Sequence, residues 1–127
     1  MKRFIKIVTD ILLVIVLVIA AVLYIPRLMG LKTYKVLSGS MEPEYHVGSV
    51  VYVEKSSIDD IEVGDVITFY INDNTVVTHR VIDKDDDTES FRTKGDANEI
   101  VDGGSVAYDK VVGKVVLNVP YLGYILR

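Results

Sequence analysis

The sequence predicts a mainly β protein, in which an N-terminal transmembrane helix precedes an antiparallel β-rich domain. Two observations carry this prediction. Residues 11–25 are fifteen consecutive apolar residues, and from Tyr34 onward short β-branched runs alternate with turn-forming residues. A chain of 127 residues has room for one compact domain beside such a helix. We therefore divide it into a membrane anchor, residues 1–31, and a β-rich domain, residues 32–127.

The apolar segment reaches membrane-spanning length only if it continues past Arg27. A helix needs about 20 apolar residues to cross a hydrocarbon core of about 30 Å. Leu28, Met29 and Leu31 add to the run if the Arg27 side chain extends to the interface. A cleaved secretory signal also begins with basic residues, but this run lacks a small-x-small exit. The sequence favours an uncleaved anchor over a cleaved signal or a buried core helix. Basic residues on both sides leave its orientation open.

Five strands are predicted after the anchor, because five β-branched runs are bounded by polar turns. The predicted strands are residues 49–54, 65–71, 75–83, 90–94 and 110–117. Residues 72–74 form a predicted hairpin turn, residues 84–89 an acidic loop, and residues 95–98 and 102–104 further turns. The expected architecture is an antiparallel sheet with short connections.

Charge and composition exclude several classes of function. From Thr33 onward, nine Lys and Arg residues stand against seventeen Asp and Glu residues. Nucleic acid is therefore not an expected partner, because its binding requires phosphate neutralisation. The absence of cysteine excludes a thiolate nucleophile and thiolate zinc sites. No Gly-rich phosphate loop, CxxC pair or HExxH motif occurs either, so we expect no cofactor and no metal.

Ser40 lies in the stretch VLSGSMEP, residues 36–43. Gly39 before it permits a sharp turn, and Pro43 after it fixes the exit of the chain. A hydroxyl at such a rigid edge is suited to nucleophilic chemistry. Taken alone, however, Ser-Gly-Ser before a proline is typical of an ordinary turn.

His79 is one of two histidines and lies in the predicted strand VVTHRVI. Alternation places it on the same face as Val77 and Val81, so it is either a half-buried structural histidine or a shielded general base. His46 precedes a strand in a polar loop and is expected at the surface. Two acids, Asp96 and Asp102, follow in the turns after residue 94. A Ser/His pair needs one carboxylate to orient the imidazole, although acids in turns are common.

The order of these motifs resembles the type I signal peptidases of the endoplasmic-reticulum type, found in eukaryotes, archaea and some Gram-positive bacteria. An apolar anchor precedes the nucleophile box, and the histidine and acid boxes follow it in the family's order. The boxes are VLSGSMEP (36–43), VGSVV (47–51), VGDVI (63–67), THRVI (78–82) and TKGDAN (93–98), with Asp102 six residues after Asp96. The resemblance covers most of the chain.

The resemblance implies a role for each candidate residue. Ser40, directly before methionine, is the implied nucleophile, and His79 the implied general base where the bacterial branch uses lysine. Asp102 resembles the acid of the triad, while Asp96 matches an acid that holds the site together. Ser38 matches a serine that supports the backbone N–H of the nucleophile in the oxyanion hole. Arg80, beside the histidine, is implied to be a neighbour and not the base.

The resemblance further implies a membrane-anchored serine endopeptidase on the extracytoplasmic side. Its substrates would be exported preproteins with small residues at the first and third positions before the cut, and its environment the lipid bilayer. Many relatives continue into a second C-terminal membrane segment, and the last ten residues, NVPYLGYILR, look like the approach to one.

Two alternatives remain beside this interpretation. Self-cleaving repressor proteases share a serine-methionine motif and a β-rich fold, but they use a serine-lysine pair and carry DNA-binding domains. The second alternative is an anchored β-domain that only binds protein partners, with Ser40 a turn residue and His79 a core residue.

Overall fold

A computed structural model describes residues 1–124 of the chain. It divides into two units, Met1–Leu31 and a second unit that begins at Lys32. The predicted fold class is confirmed, because one long apolar helix precedes a seven-stranded antiparallel sheet.

Helix α1, Lys2–Leu28, contains the whole apolar run. Its 27 residues give a length of about 40 Å at about 1.5 Å per residue, enough to cross a hydrocarbon core of about 30 Å. The most hydrophobic stretch of the helix is entirely unburied, which argues against a core helix. Proline is tolerated at Pro26 in the last turn, and Gly30 follows at φ 83°, a conformation that glycine adopts without strain.

The sheet forms the body of the second unit. Its strands are β1 (Lys32–Lys35), β2 (Val50–Glu54), β3 (Val66–Asn72), β4 (Thr75–Asp85), β5 (Ser90–Lys94), β6 (Val106–Ala107) and β7 (Val111–Val119). They lie in the order β1-β2-β7-β3-β4-β5-β6, and every neighbouring pair is antiparallel. The consecutive strands β3, β4 and β5 form a meander, whereas β7 returns from the end of the chain to lie between β2 and β3.

The five predicted strands are present, with small differences at their ends. Strand β4 continues to Asp85, so the acidic connection is shorter than the predicted loop 84–89. Strand β7 runs to Val119, two residues further than predicted. Strands β1 and β6 were not predicted. The sequence of β1, KTYK, lacks an apolar alternation, and β6 has only two residues, so neither carries a local strand signal.

The hydrophobic core lies on one face of the β3-β4-β5 meander. Its buried members are Ile61, Ile67, Phe69, Val81, Phe91 and Val106. Strand β2 is buried along Val50–Val53, as expected for an unbroken apolar run. The core holds the strands of the meander in place, and strand β4 of the meander carries His79.

Candidate active site

Ser40 lies in a short 3-10 turn, Gly39–Met41, that is held from both sides. The Met41 side chain is only 2% exposed and anchors the turn. The backbone N–H of Ala97 donates a hydrogen bond of 2.8 Å to the Ser40 carbonyl oxygen. Gly95 passes so close that a Cβ there would lie 2.6 Å from the same oxygen. The acid box therefore packs directly against the nucleophile box and fixes its backbone.

His79 projects from β4 toward this turn. It is 8% exposed, and its ring meets the edge of Phe69 at a centroid distance of 6.4 Å. Nε2 of His79 lies 3.2 Å from Oγ of Ser40. Two residues that are 39 positions apart in the chain are thus within hydrogen-bond reach.

Asp102 lies at the other nitrogen of the same ring. Its Oδ2 atom is 2.6 Å from Nδ1 of His79. Because an ionised carboxylate only accepts hydrogen bonds, this contact favours the tautomer with the proton on Nδ1, in which Nε2 can accept from the Ser40 hydroxyl. Oγ1 of Thr93 donates to the same Oδ2 atom at 2.6 Å. The arrangement is a continuous relay of hydrogen bonds from Ser40 through His79 to Asp102.

Asp96 has a different partner. Nε and Nη2 of Arg80 donate to its two carboxylate oxygens at 2.8 and 2.7 Å, and Nη1 donates to the carbonyl of Gly64 at 2.7 Å. Hydrogen bonding from Arg80 holds the pKa of the Asp96 carboxyl below its usual range. The backbone N–H of Asp96 also contacts Sδ of Met41 at 3.4 Å. Asp96 therefore connects the acid box to β4, through Arg80, and to the 3-10 turn Gly39–Met41. Its carboxylate pairs with Arg80 and not with the imidazole of His79.

Ser38 lies two residues before Ser40 on extended backbone, with φ −131° and ψ 164°. Its Oγ atom is 3.2 Å from Oγ of Ser40. The two hydroxyl groups are thus within hydrogen-bond distance, and either oxygen can be the donor.

His46 is exposed and is not part of the group formed by Ser40, His79 and Asp102. Its Nδ1 atom pairs with Glu42 four residues earlier, on the surface of the loop. Within the described chain, residues 1–124, no group of three or more His, Cys, Asp or Glu side chains could hold a metal ion.

A cleft of about 260 Å³ opens over Ser40. One wall is the segment that leads from β1 to Ser40, with Met41 and Tyr45, and the other is residues 76–79 of β4. Strand β4 pairs with β5 only from Arg80 onward, so among the described residues 1–124 its residues 75–79 pair on one side alone, with β3. The backbone edge of β4 next to the cleft is thereby left for another strand.

Sequence reasoning missed two features of the site. The Arg80 side chain was treated only as a neighbour of His79, and its bidentate pairing with Asp96 was not predicted. Thr93 was quoted in the acid box without a role. Alternation along the strand places Arg80 on the face opposite His79, but no local signal identifies its partner, which is 16 residues away.

Comparison with known proteins identifies a family for the chain. The family described as signal peptidase, peptidase S26, matches residues 8–100, a range that contains Ser40, His79 and Asp96 and ends before Asp102. Signal peptidase I W of Bacillus subtilis (strain 168) is 38% identical over 120 residues, 84% of this chain and 63% of the relative.

Two eukaryotic relatives show the same likeness. The signal peptidase complex catalytic subunit SEC11C of Homo sapiens is 35% identical over 101 residues, 71% of this chain and 53% of the relative. The subunit SEC11 of Fusarium vanettenii is 33% identical over 101 residues, 71% of this chain and 59% of the relative. The chain thus spans between half and two thirds of the length of these curated relatives. It belongs to the peptidase S26 family of signal peptidases, and the resemblance to the endoplasmic-reticulum type is confirmed.

Proposed function

We propose that the protein is a membrane-anchored serine endopeptidase that removes signal peptides from exported preproteins. The observation that carries the proposal is the hydrogen-bonded relay of Ser40, His79 and Asp102, with distances of 3.2 and 2.6 Å. We infer the class of substrate from the names of the relatives. We infer the type of reaction, acyl transfer through a serine, from the hydrogen-bonded relay.

In the proposed mechanism Ser40 Oγ attacks the carbonyl carbon of the scissile bond. Nε2 of His79 accepts the hydroxyl proton, and Asp102 stabilises the imidazolium that forms. When the C–N bond breaks, His79 returns the proton to the leaving amine, which is the new N-terminus of the mature protein. Water then adds to the acyl-enzyme with His79 again as base, the ester bond to Ser40 breaks as His79 returns the proton to Ser40 Oγ, and the signal peptide leaves with a free carboxylate.

The negative charge on the substrate oxygen is stabilised by the Ser40 backbone N–H and the Ser38 hydroxyl. The Ser38 hydroxyl is suited to this role because its Oγ atom lies 3.2 Å from Oγ of Ser40, the atom that bonds to the substrate carbonyl carbon. A hydroxyl at this position can rotate to donate to the substrate oxygen in the tetrahedral intermediate.

The substrate would bind as an extended strand in the cleft beside β4. Residues 75–79 of β4 offer a backbone edge, and the segment before Ser40 lies across the cleft from it. Alternate residues of an extended peptide point to the same side, so the first and third residues before the cut meet one wall. We expect the walls of this cleft, which include Met41 and Tyr45, to admit only small side chains at these two positions.

We place the catalytic unit on the extracytoplasmic side, with α1 as its anchor. The helix is long and apolar enough to cross a bilayer. Ser40 follows the end of α1 by twelve residues, which span at most about 40 Å when extended. The nucleophile is thereby tethered near the membrane in which signal peptides are embedded.

Processing of a preprotein by the purified chain in detergent micelles tests the proposal. The expected product begins directly after a small residue of the signal peptide, as determined by mass spectrometry of its N-terminus. Replacing that small residue of the substrate by Phe should prevent the cut. If the folded chain binds the preprotein without cleaving it, it is an anchored binding domain instead.

A further inference from the structure

We propose that Thr93 is a positioning residue that holds the carboxylate of Asp102 in place for His79. The inference rests on the proposed function, because it assigns Asp102 to the catalytic relay. Thr93 itself does not touch the reacting atoms and acts only through Asp102.

Two hydrogen bonds join Thr93 to Asp102. The Thr93 hydroxyl donates to Oδ2 at 2.6 Å, and the backbone N–H of Asp102 donates to the Thr93 carbonyl at 3.0 Å. The Oδ2 atom that accepts from Thr93 is also the atom that accepts from His79. One residue thus fixes both the backbone of Asp102 and the oxygen that faces the imidazole.

The surroundings of Asp102 explain why it needs such a support. Asp102 lies in a loop outside every strand, and its side chain is 26% exposed. Thr93 is fully buried in β5, where it pairs with Val81 of β4, two residues after His79. Thr93 therefore connects the Asp102 carboxylate in the loop to the β4–β5 strand pair that carries His79. Without this connection, a shift of the loop would separate Asp102 from His79.

A purely structural role for Thr93 makes a different prediction. A buried hydroxyl needs a hydrogen-bond partner, and Asp102 could simply satisfy it. In that case valine, which has nearly the same shape, should leave the activity of the folded protein intact. A positioning role instead predicts a loss in the chemical step, since a displacement of about 1 Å at a catalytic group can cost about 100-fold in rate.

The experiment compares T93V, T93S, D102N and the double variant T93V/D102N, each as the full chain in detergent micelles. The substrate is a signal-peptide-containing preprotein. We expect T93V to lower kcat by about 10- to 100-fold with KM unchanged. T93S keeps the hydroxyl and should restore most of this loss. In the D102N background T93V should cause no further loss, because the carboxylate it positions is already absent.

Three results would overturn the inference: T93V within twofold of the wild type, T93S as impaired as T93V, or the same loss from T93V with and without Asp102. Thermal unfolding establishes that each variant is folded, and T93A replaces T93V in the comparison if the valine variant does not fold. Failure of the proposed function has a different signature, since the wild-type chain itself would then bind the preprotein without cleaving it.

Discussion

The two acids that follow β5, Asp96 and Asp102, occupy different positions, although the sequence alone presents them as near equivalents. Asp102 bonds to His79 and Asp96 to Arg80, through separate sets of hydrogen bonds. A carboxylate on Nδ1 fixes the tautomer in which Nε2 is free to accept a proton. The geometry therefore supports Asp102 as the orienting acid and gives Asp96 a structural task.

Replacing each acid by asparagine should rank them. We expect D102N to lower kcat by about 10³- to 10⁴-fold, because the amide favours the wrong tautomer of His79. D96N should cause a smaller loss, since it weakens the pairing with Arg80 and leaves the relay intact. The measurement is kcat for preprotein processing by both folded variants. Greater damage from D96N would contradict the assignment.

The Arg80–Asp96 pair should also make stability depend on pH. The folded pKa of Asp96 lies below its ordinary value of 3.8, because Arg80 donates to its carboxylate. Its contribution is therefore complete above about pH 4 and is lost as the pH falls through the lowered folded pKa. Thermal unfolding of wild type and D96N between pH 2 and 7 should show a difference that shrinks at the acid end. A difference that is constant over this range would contradict the role of the carboxylate charge.

At the scale of elements, the contact between the acid box and the 3-10 turn Gly39–Met41 depends on Gly95. A Cβ at this position would lie 2.6 Å from the Ser40 carbonyl oxygen and 3.1 Å from its Cβ. We expect G95A to displace the nucleophile and to lower kcat by about 10- to 100-fold. G103A is the matched control, because no atom of the described part of the chain lies within 4 Å of a Cβ at Gly103. Equal activities of the two variants would show that the turn tolerates the displacement.

The strands that the sequence predicts are those with a local pattern. Strands β2, β3 and β4 are runs of β-branched and aromatic residues, and alternation along β4 predicts the inward face of His79. Strand β1 has no such pattern. It forms because it pairs with β2, and its own sequence does not indicate this partner. The free edge of β4 at residues 75–79 likewise depends on where β5 begins to pair, which is a property of the assembled sheet.

At the scale of the whole molecule, the long apolar helix and the order of the boxes could be predicted, but the assembly of the site could not. His79 lies 39 residues from Ser40 and 23 residues from Asp102. Only the resemblance to a family suggested that they meet. The support from Thr93 and the pairing of Arg80 with Asp96 are tertiary contacts without a local signal, so sequence patterns alone did not identify them.

The proposed orientation can be tested because the chain contains no cysteine. D87C places a thiol in the exposed turn between β4 and β5, and K2C places one at the start of α1. In intact cells a membrane-impermeant maleimide should label D87C and should leave K2C unlabelled until the membrane is opened. Labelling of K2C with protection of D87C would reverse the orientation.

The central claim is that Ser40, and not its neighbour Ser38, is the nucleophile of a signal peptidase. The most direct test is preprotein processing by the S40A and S38A variants in detergent micelles. We expect S40A to abolish processing, because no other group in the relay can attack the carbonyl. S38A should slow it by about 10²- to 10³-fold, the usual cost of one oxyanion donor. Processing by S40A at the wild-type rate would contradict the account.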